Sequence, residues 1–159
     1  MTDIMTISCA VVGQNAAIDE RRKNDIDAGL SGGIAGLIED GYRIFCISLT
    51  GELTLMFCEA LLYAAEQFHD LSINIQLPYK GWHFIQDDAI RYHNVIAQAE
   101  SRHYASEEAF SGSMYSADKY LVGYGSTMVI LQTDNCSEMF YMKLEAEHRG
   151  KQKIREFVL

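Results

Sequence analysis

The sequence predicts an α/β protein: a three-layer, Rossmann-like open sheet, mainly parallel, with helices on both faces. Three observations predict it. Short β-rich runs alternate with longer stretches of apolar residues at 3–4-residue spacing, in the order strand, helix, strand, helix. Residues 43–49 (RIFCISL) are near-continuously apolar, as a strand covered on both sides must be. The only proline, Pro78, ends a strand-like run instead of interrupting one.

The elements follow in order. Residues 5–12 (MTISCAVV) read as the first strand, ending at the turn signal Gly13-Gln14-Asn15. Ile26, Leu30, Ile34, Leu37 and Ile38 make one apolar helical stripe, with Gly41 as its cap. Gly29, Gly32, Gly33 and Gly36 each cost that helix about 1 kcal/mol against alanine, so it is expected to lie close against the sheet or another helix. After the strand at 43–49, residues 52–69 form a long helix rich in Ala, Leu and Phe. Residues 71–77 (LSINIQL) alternate strictly, and Ile85, Ala89, Tyr92, Ile96 and Ala99 mark a third helix. A short strand at 102–105, a helix at 113–124, a buried strand at 127–131, a helix at 138–150 and a last strand at 154–159 complete the series.

At 159 residues the chain is expected to be a single domain, 1–159. Thirteen Lys+Arg against 22 Asp+Glu leave a net charge of −9, which argues against direct nucleic-acid binding and against docking on an anionic membrane. No run is long and apolar enough to span a bilayer, and the N-terminus lacks the features of a signal peptide. Cys9, Cys46, Cys58 and Cys136 show no CxxC spacing, as expected of reduced thiols in a cytoplasmic protein.

In a sheet of this kind ligands bind outside the carboxyl ends of the strands. Two loops qualify: Gly13-Gln14-Asn15, and Leu49-Thr50-Gly51-Glu52, which leads into a helix start where free amides favour anions. Neither is GxGxxG or GxxxxGK[ST]. Glu52 in the first helical turn satisfies the helix dipole itself and repels a phosphate. A capped helix with an ordinary turn and a phosphate pocket therefore both stand as readings. Trp82, beside Tyr79 and Lys80, would either stack on a base or close the sheet end as a lid.

Other chemistry finds little support. The five histidines show no HExxH pairing, no GxSxG elbow exists, and Asp87-Asp88 and Glu107-Glu108 read as solvated faces. Met114, Tyr115, Tyr120, Tyr124, Met139, Tyr141 and Met142 crowd the last third of the chain, mostly as core with a self-association or partner surface in addition.

The run GLIEDGYRIFCISLTGELTLMFCEALLYAAEQFHDLSINIQLPY, then Trp82, Tyr92 and VIAQAE, the block YSADKYLVGYGSTMVILQTDN, and MKLEAEHRGKQKI together resemble the YpsA-like branch of the SLOG superfamily. These are Rossmann-like nucleotide-ligand sensors, and the likeness covers roughly residues 5–155. The resemblance implies a ligand crevice at the strand ends and a nucleotide or ADP-ribose-like ligand. The chain departs from the family at the loops. Val12-Gly13-Gln14-Asn15 replaces a TGHRP-like turn. Leu49 and Glu52 stand where glycines are usual, with Thr54 near the usual acid. Asp118-Lys119, Tyr124 and Ser126-Thr127 replace an Arg-Asn pair, an Asp and a Ser-Asp. A leucine at that loop would stand in phosphate space and accepts a positive φ poorly, and a lysine replaces an arginine fork only as a point charge.

Two functions follow as expectations. The first is a non-catalytic binding protein that senses or sequesters a nucleotide-derived ligand. Gly13, Gln14, Asn15, Thr50, Gly51 and Thr54 would contact it, Tyr79 and Trp82 would cover it, and Ser126 and Thr127 would line the far wall. The second is a ligand-less acidic interaction or inhibitor protein, encoded by a phage or mobile element and aimed at a host factor. No cofactor or metal is implied, and a homo-oligomer is expected. A third reading, a phosphoribohydrolase of the lonely-guy type, lacks the glycines and spacing of PGGxGTxxE in LTGELTLMFCE.

Overall fold

The computed structural model describes residues 8–14, 17–80, 82, 89–106, 127–133, 137–149 and 153–159. The described elements are β1 (Ser8–Gly13), α1 (Lys23–Glu39), β2 (Ile44–Ser48), α2 (Glu52–Ala65), β3 (Ser72–Leu77), α3 (Ala89–Gln98), β4 (Ser101–Tyr104), β5 (Thr127–Gln132), α4 (Ser137–Arg149) and β6 (Lys153–Val158). The six strands form one open sheet in the order β4-β3-β2-β1-β5-β6, and every neighbouring pair is parallel. The expected Rossmann-like α/β architecture is therefore present. The helix expected at 113–124 lies outside the described residues, as do residues 5–7 and Ile85.

The chain steps outward from β1 to β4, then returns to the other side of β1 for β5 and β6. Crossovers between parallel strands are right-handed, so reversing the direction of travel moves the helices to the opposite face. Accordingly α1, α2 and α3 cover a first face, on which Cys9, Val11, Phe45, Ile47, Ile73, Ile75, Val129 and Leu131 join one apolar cluster. Helix α4 covers a second face, where Met139, Met142 and Ala146 meet Val12, Met128 and Ile130.

Local sequence explains each helix. The buried residues of α1 are Ile26, Leu30, Ile34, Leu37 and Ile38, the stripe that spacing predicts. It ends in a Schellman motif: Gly41, at φ 100°, donates its N–H to Ile38 O at 3.0 Å, and Tyr42 donates to Leu37 O at 3.1 Å. The glycines of α1 serve close approach. A Cβ on Gly33 would overlap the Phe157 ring, and one on Gly29 would come within 2.9 Å of Leu159. The helix thus presents a shallow saddle to the side chains of the C-terminal strand segment, whereas Gly32 meets nothing within 4 Å. Helix α2 is shorter than the expected 52–69. Its last N–H groups turn back three residues, Glu66 to Tyr63 O and Gln67 to Ala64 O, so that Leu71 can reach the core and open β3.

Strand β3 keeps its alternation in space. Ile73, Ile75 and Leu77 face the helices, while Ser72, Asn74 and Gln76 point to the second face. Among the described residues no helix is long and apolar enough to cross a membrane.

Candidate functional site

The strand order reverses between β1 and β5, so the crevice that such a sheet offers lies outside the carboxyl ends of these two strands. Gly13 ends β1 and Gln132 ends β5. Gln14 spans the gap. Its backbone N–H donates to Leu131 O at 2.8 Å, and its side-chain Oε1 accepts from the Thr133 N–H at 2.9 Å and the Thr133 hydroxyl at 3.2 Å. Gln14 therefore ties the two exits together across the switch point.

The loop after β2 is closed by its own residues. Leu49 is fully buried in the first-face cluster, its N–H bonded to Gln76 O at 2.9 Å. Its side chain fills core and not phosphate space, and its backbone needs no positive φ, since Gly41 alone has one among the described residues. That corrects the expectation for this position: the Leu49 side chain packs into the core and does not block the loop. What fills the hollow is Thr54. Its Oγ1 accepts from the N–H of Thr50 at 3.2 Å and of Gly51 at 3.3 Å, and donates to Gly51 O at 3.1 Å. The two amides that would greet an anion are thereby satisfied within the helix cap. The Thr54 methyl seats against Gly13, where a Cβ would meet it at 2.7 Å. Gly13 and the start of α2 are thus in packed contact.

Charge at this helix start is neutralised from neighbouring helices. Arg91, on α3, donates from Nη1 to the Glu52 carboxylate at 3.0 and 3.2 Å, and from Nε and Nη2 to Glu59 at 3.2 and 2.5 Å. Lys23, opening α1, stands 3.8 Å from Glu52. The Glu59 hydrogen bond, followed by that of Glu52, holds the Arg91 pKa well above the ordinary arginine value, against the opposing cost of burial. Glu52 and Glu59 are seven residues apart on one helix face, the only part of this cluster that spacing exposes. Which cation comes to them is a tertiary fact.

Of the other sequence-predicted residues, Tyr79 and Trp82 do meet, ring edge to face at 5.3 Å, just beyond β3. Trp82 packs on the first-face cluster and donates its backbone N–H to Tyr79 O at 3.1 Å, so it anchors the turn after β3. Thr127 lies at the amino end of β5, opposite Cys9, and its hydroxyl is hydrogen-bonded to the Tyr42 hydroxyl. It is therefore on the far edge of the sheet from Gly13, Gln14, Thr50, Gly51 and Thr54. Asn15 and Ser126 lie outside the described residues, as do His83, Cys136, Asp87-Asp88 and Glu107-Glu108. Of the tyrosine and methionine group, Met139 and Met142 are core, while Tyr141 is exposed beside Phe140.

Sequence reasoning passed over one polar row. On the second face Ser72, Asn74 and Gln76 of β3 stand beside Ser101 and His103 of β4. Ser101 Oγ donates to Asn74 Oδ1 at 2.5 Å, Asn74 Nδ2 donates to Ser72 Oγ at 3.1 Å, and His103 Nδ1 lies 3.0 Å from Gln76 Oε1. Gln76 is 1% exposed, and its Nε2 has no hydrogen-bond partner among the described residues. Strict alternation in 71–77 was the available signal. Among the described residues no three His, Cys, Asp or Glu side chains cluster as metal ligands. Compared with known proteins, the chain matches no family model and no curated protein.

Proposed function

We propose that the chain is a non-catalytic, acidic interaction protein that acts by binding a basic macromolecular partner. One observation carries this reading. The Thr50 and Gly51 amides, the natural phosphate donors of such a fold, are taken by Thr54 Oγ1, and Glu52 adds a carboxylate at the same helix start. A net charge of −9 supports it, because an anionic surface steers and selects cationic ones.

The test is direct. Calorimetric titration with ADP-ribose, NAD and the adenine nucleotides is expected to give no heat of binding. Capture from lysate is expected to retain a basic protein that elutes as salt is raised past about 0.15 M, where the screening length is about 8 Å. Saturable binding of a nucleotide would overturn the reading.

That result would favour the second reading, a sensor of a nucleotide-derived, ADP-ribose-like ligand, as the SLOG resemblance implies. Its support is topological: the strand order reverses at β1 and β5, beside Gly13 and Gln14. In that case the phosphate donors come from the β1 and β5 exits, not from Gly51.

A further inference from the structure

At the amino edge of the sheet, opposite the loops just described, a groove of about 300 Å³ opens between the carboxyl ends of α2 and α3. Leu62, Leu71 and Ile73 contribute apolar surface to its lining, and Glu66 and Glu100 line it as well. Three features of this groove are unfavourable on their own and agree in sign. Neither α2 nor α3 has a basic residue in its last turn, where the helix dipole favours a cation. Both helices end beside a carboxylate instead, Glu66 directly after α2 and Glu100 two residues after α3. Neither carboxylate has a cationic partner among the described residues, although Ser72 donates its hydroxyl to Glu100. By contrast, Glu52 and Glu59 on the same α2 are matched by Arg91.

We infer that this groove takes a lysine side chain presented by the basic partner, its aliphatic stem on Leu62, Leu71 and Ile73 and its ammonium between Glu66 and Glu100. The inference rests on the interaction reading above and assigns it a docking point. Long cationic side chains bury their methylenes on apolar surface while the charged head stays near water and counter-charge. An ammonium here also meets the carbonyl ends of two helices, which carry about half a negative charge each. A phosphate or a carboxylate would meet the wrong sign from every one of these groups.

The probe is hexalysine, titrated into isotopically labelled protein at about 0.05 M salt and followed by amide chemical shifts, with fully N-acetylated hexalysine as the uncharged control. Shifts are expected to concentrate at residues 62–66, 71–73 and 98–100 and to be absent with the acetylated peptide. A Glu66→Gln/Glu100→Gln double variant, both sites being exposed, should keep its dispersed spectrum and weaken binding about two- to thirtyfold, as losing two exposed ion pairs implies. Equal affinity in the double variant, or shifts centred on another acidic surface, overturns the groove and leaves the interaction reading standing. No shifts anywhere overturns both.

Discussion

The two faces of the sheet obey different rules. On the first face the strands from β3 across to β5 contribute to one apolar cluster under α1, α2 and α3. On the second face, among the described residues, the apolar cluster draws on β1, β5 and β6 under α4, and β3 and β4 carry a hydrogen-bonded row of Ser, Asn, Gln and His. The difference shows that burial in a parallel sheet is settled strand by strand. A continuous run such as IFCIS tolerates neighbours on both sides, whereas SINIQL is committed to one.

The largest expected effect is on the first face. Phe57→Ala and Leu49→Ala remove fully buried side chains and should cost about 3–5 and 2–5 kcal/mol in denaturant melts. A small loss for Leu49→Ala would mean that this residue faces the loop after all.

The thiols sharpen the contrast. Burial drives the Cys9 and Cys58 pKa values far up, and pushes half-buried Cys46, on the second face, up to about 12. In a Cys136→Ser background, alkylation at alkaline pH should therefore modify Cys46 first and the other two only on unfolding. Stability has a definite sign. Below about pH 9 both folded and unfolded chains hold these protons. Above it the unfolded chain releases them first, so stability should fall as pH rises, by at most about 1.4 kcal/mol per pH unit for each thiol.

Thr54→Ala comes next. It leaves the Thr50 and Gly51 amides without their acceptor and should cost about 1–2 kcal/mol. Inorganic phosphate should then raise the Tm of the variant but not of the parent; equal shifts in both would mean that the parent loop already binds anions. The smallest effect belongs to the second face. Gln76→Leu discards an amide nitrogen that has no partner among the described residues and also removes the Oε1 contact to His103 Nδ1, so the net change should stay within about 1 kcal/mol. A loss comparable to Phe57→Ala would show that the polar row is as structural as the apolar core.

Much of the fold was legible in the sequence because its signals are local. The α1 stripe, the Gly41 cap and the β3 alternation each follow from a backbone period that neighbours cannot alter. The site was legible only in part. That Gly51 opens a helix is local, but that Thr54 turns its hydroxyl back onto two amides, that Leu49 faces inward, and that Arg91 joins Glu52 to Glu59 are outcomes of packing between distant segments. The glycines of α1 gave notice of a close neighbour without naming Phe157 and Leu159.

Strand β1 takes as one neighbour β2, next after it among the strands, and as the other β5, more than a hundred residues away. Closing so long a loop is entropically unfavourable and brings no reward until the ladder forms. Refolding should therefore assemble β1 to β4 quickly, leave one flank of the central strand open, and wait on β5 as its slow phase. During that wait the unpaired flank of β1 is the segment most exposed to mispairing with another molecule.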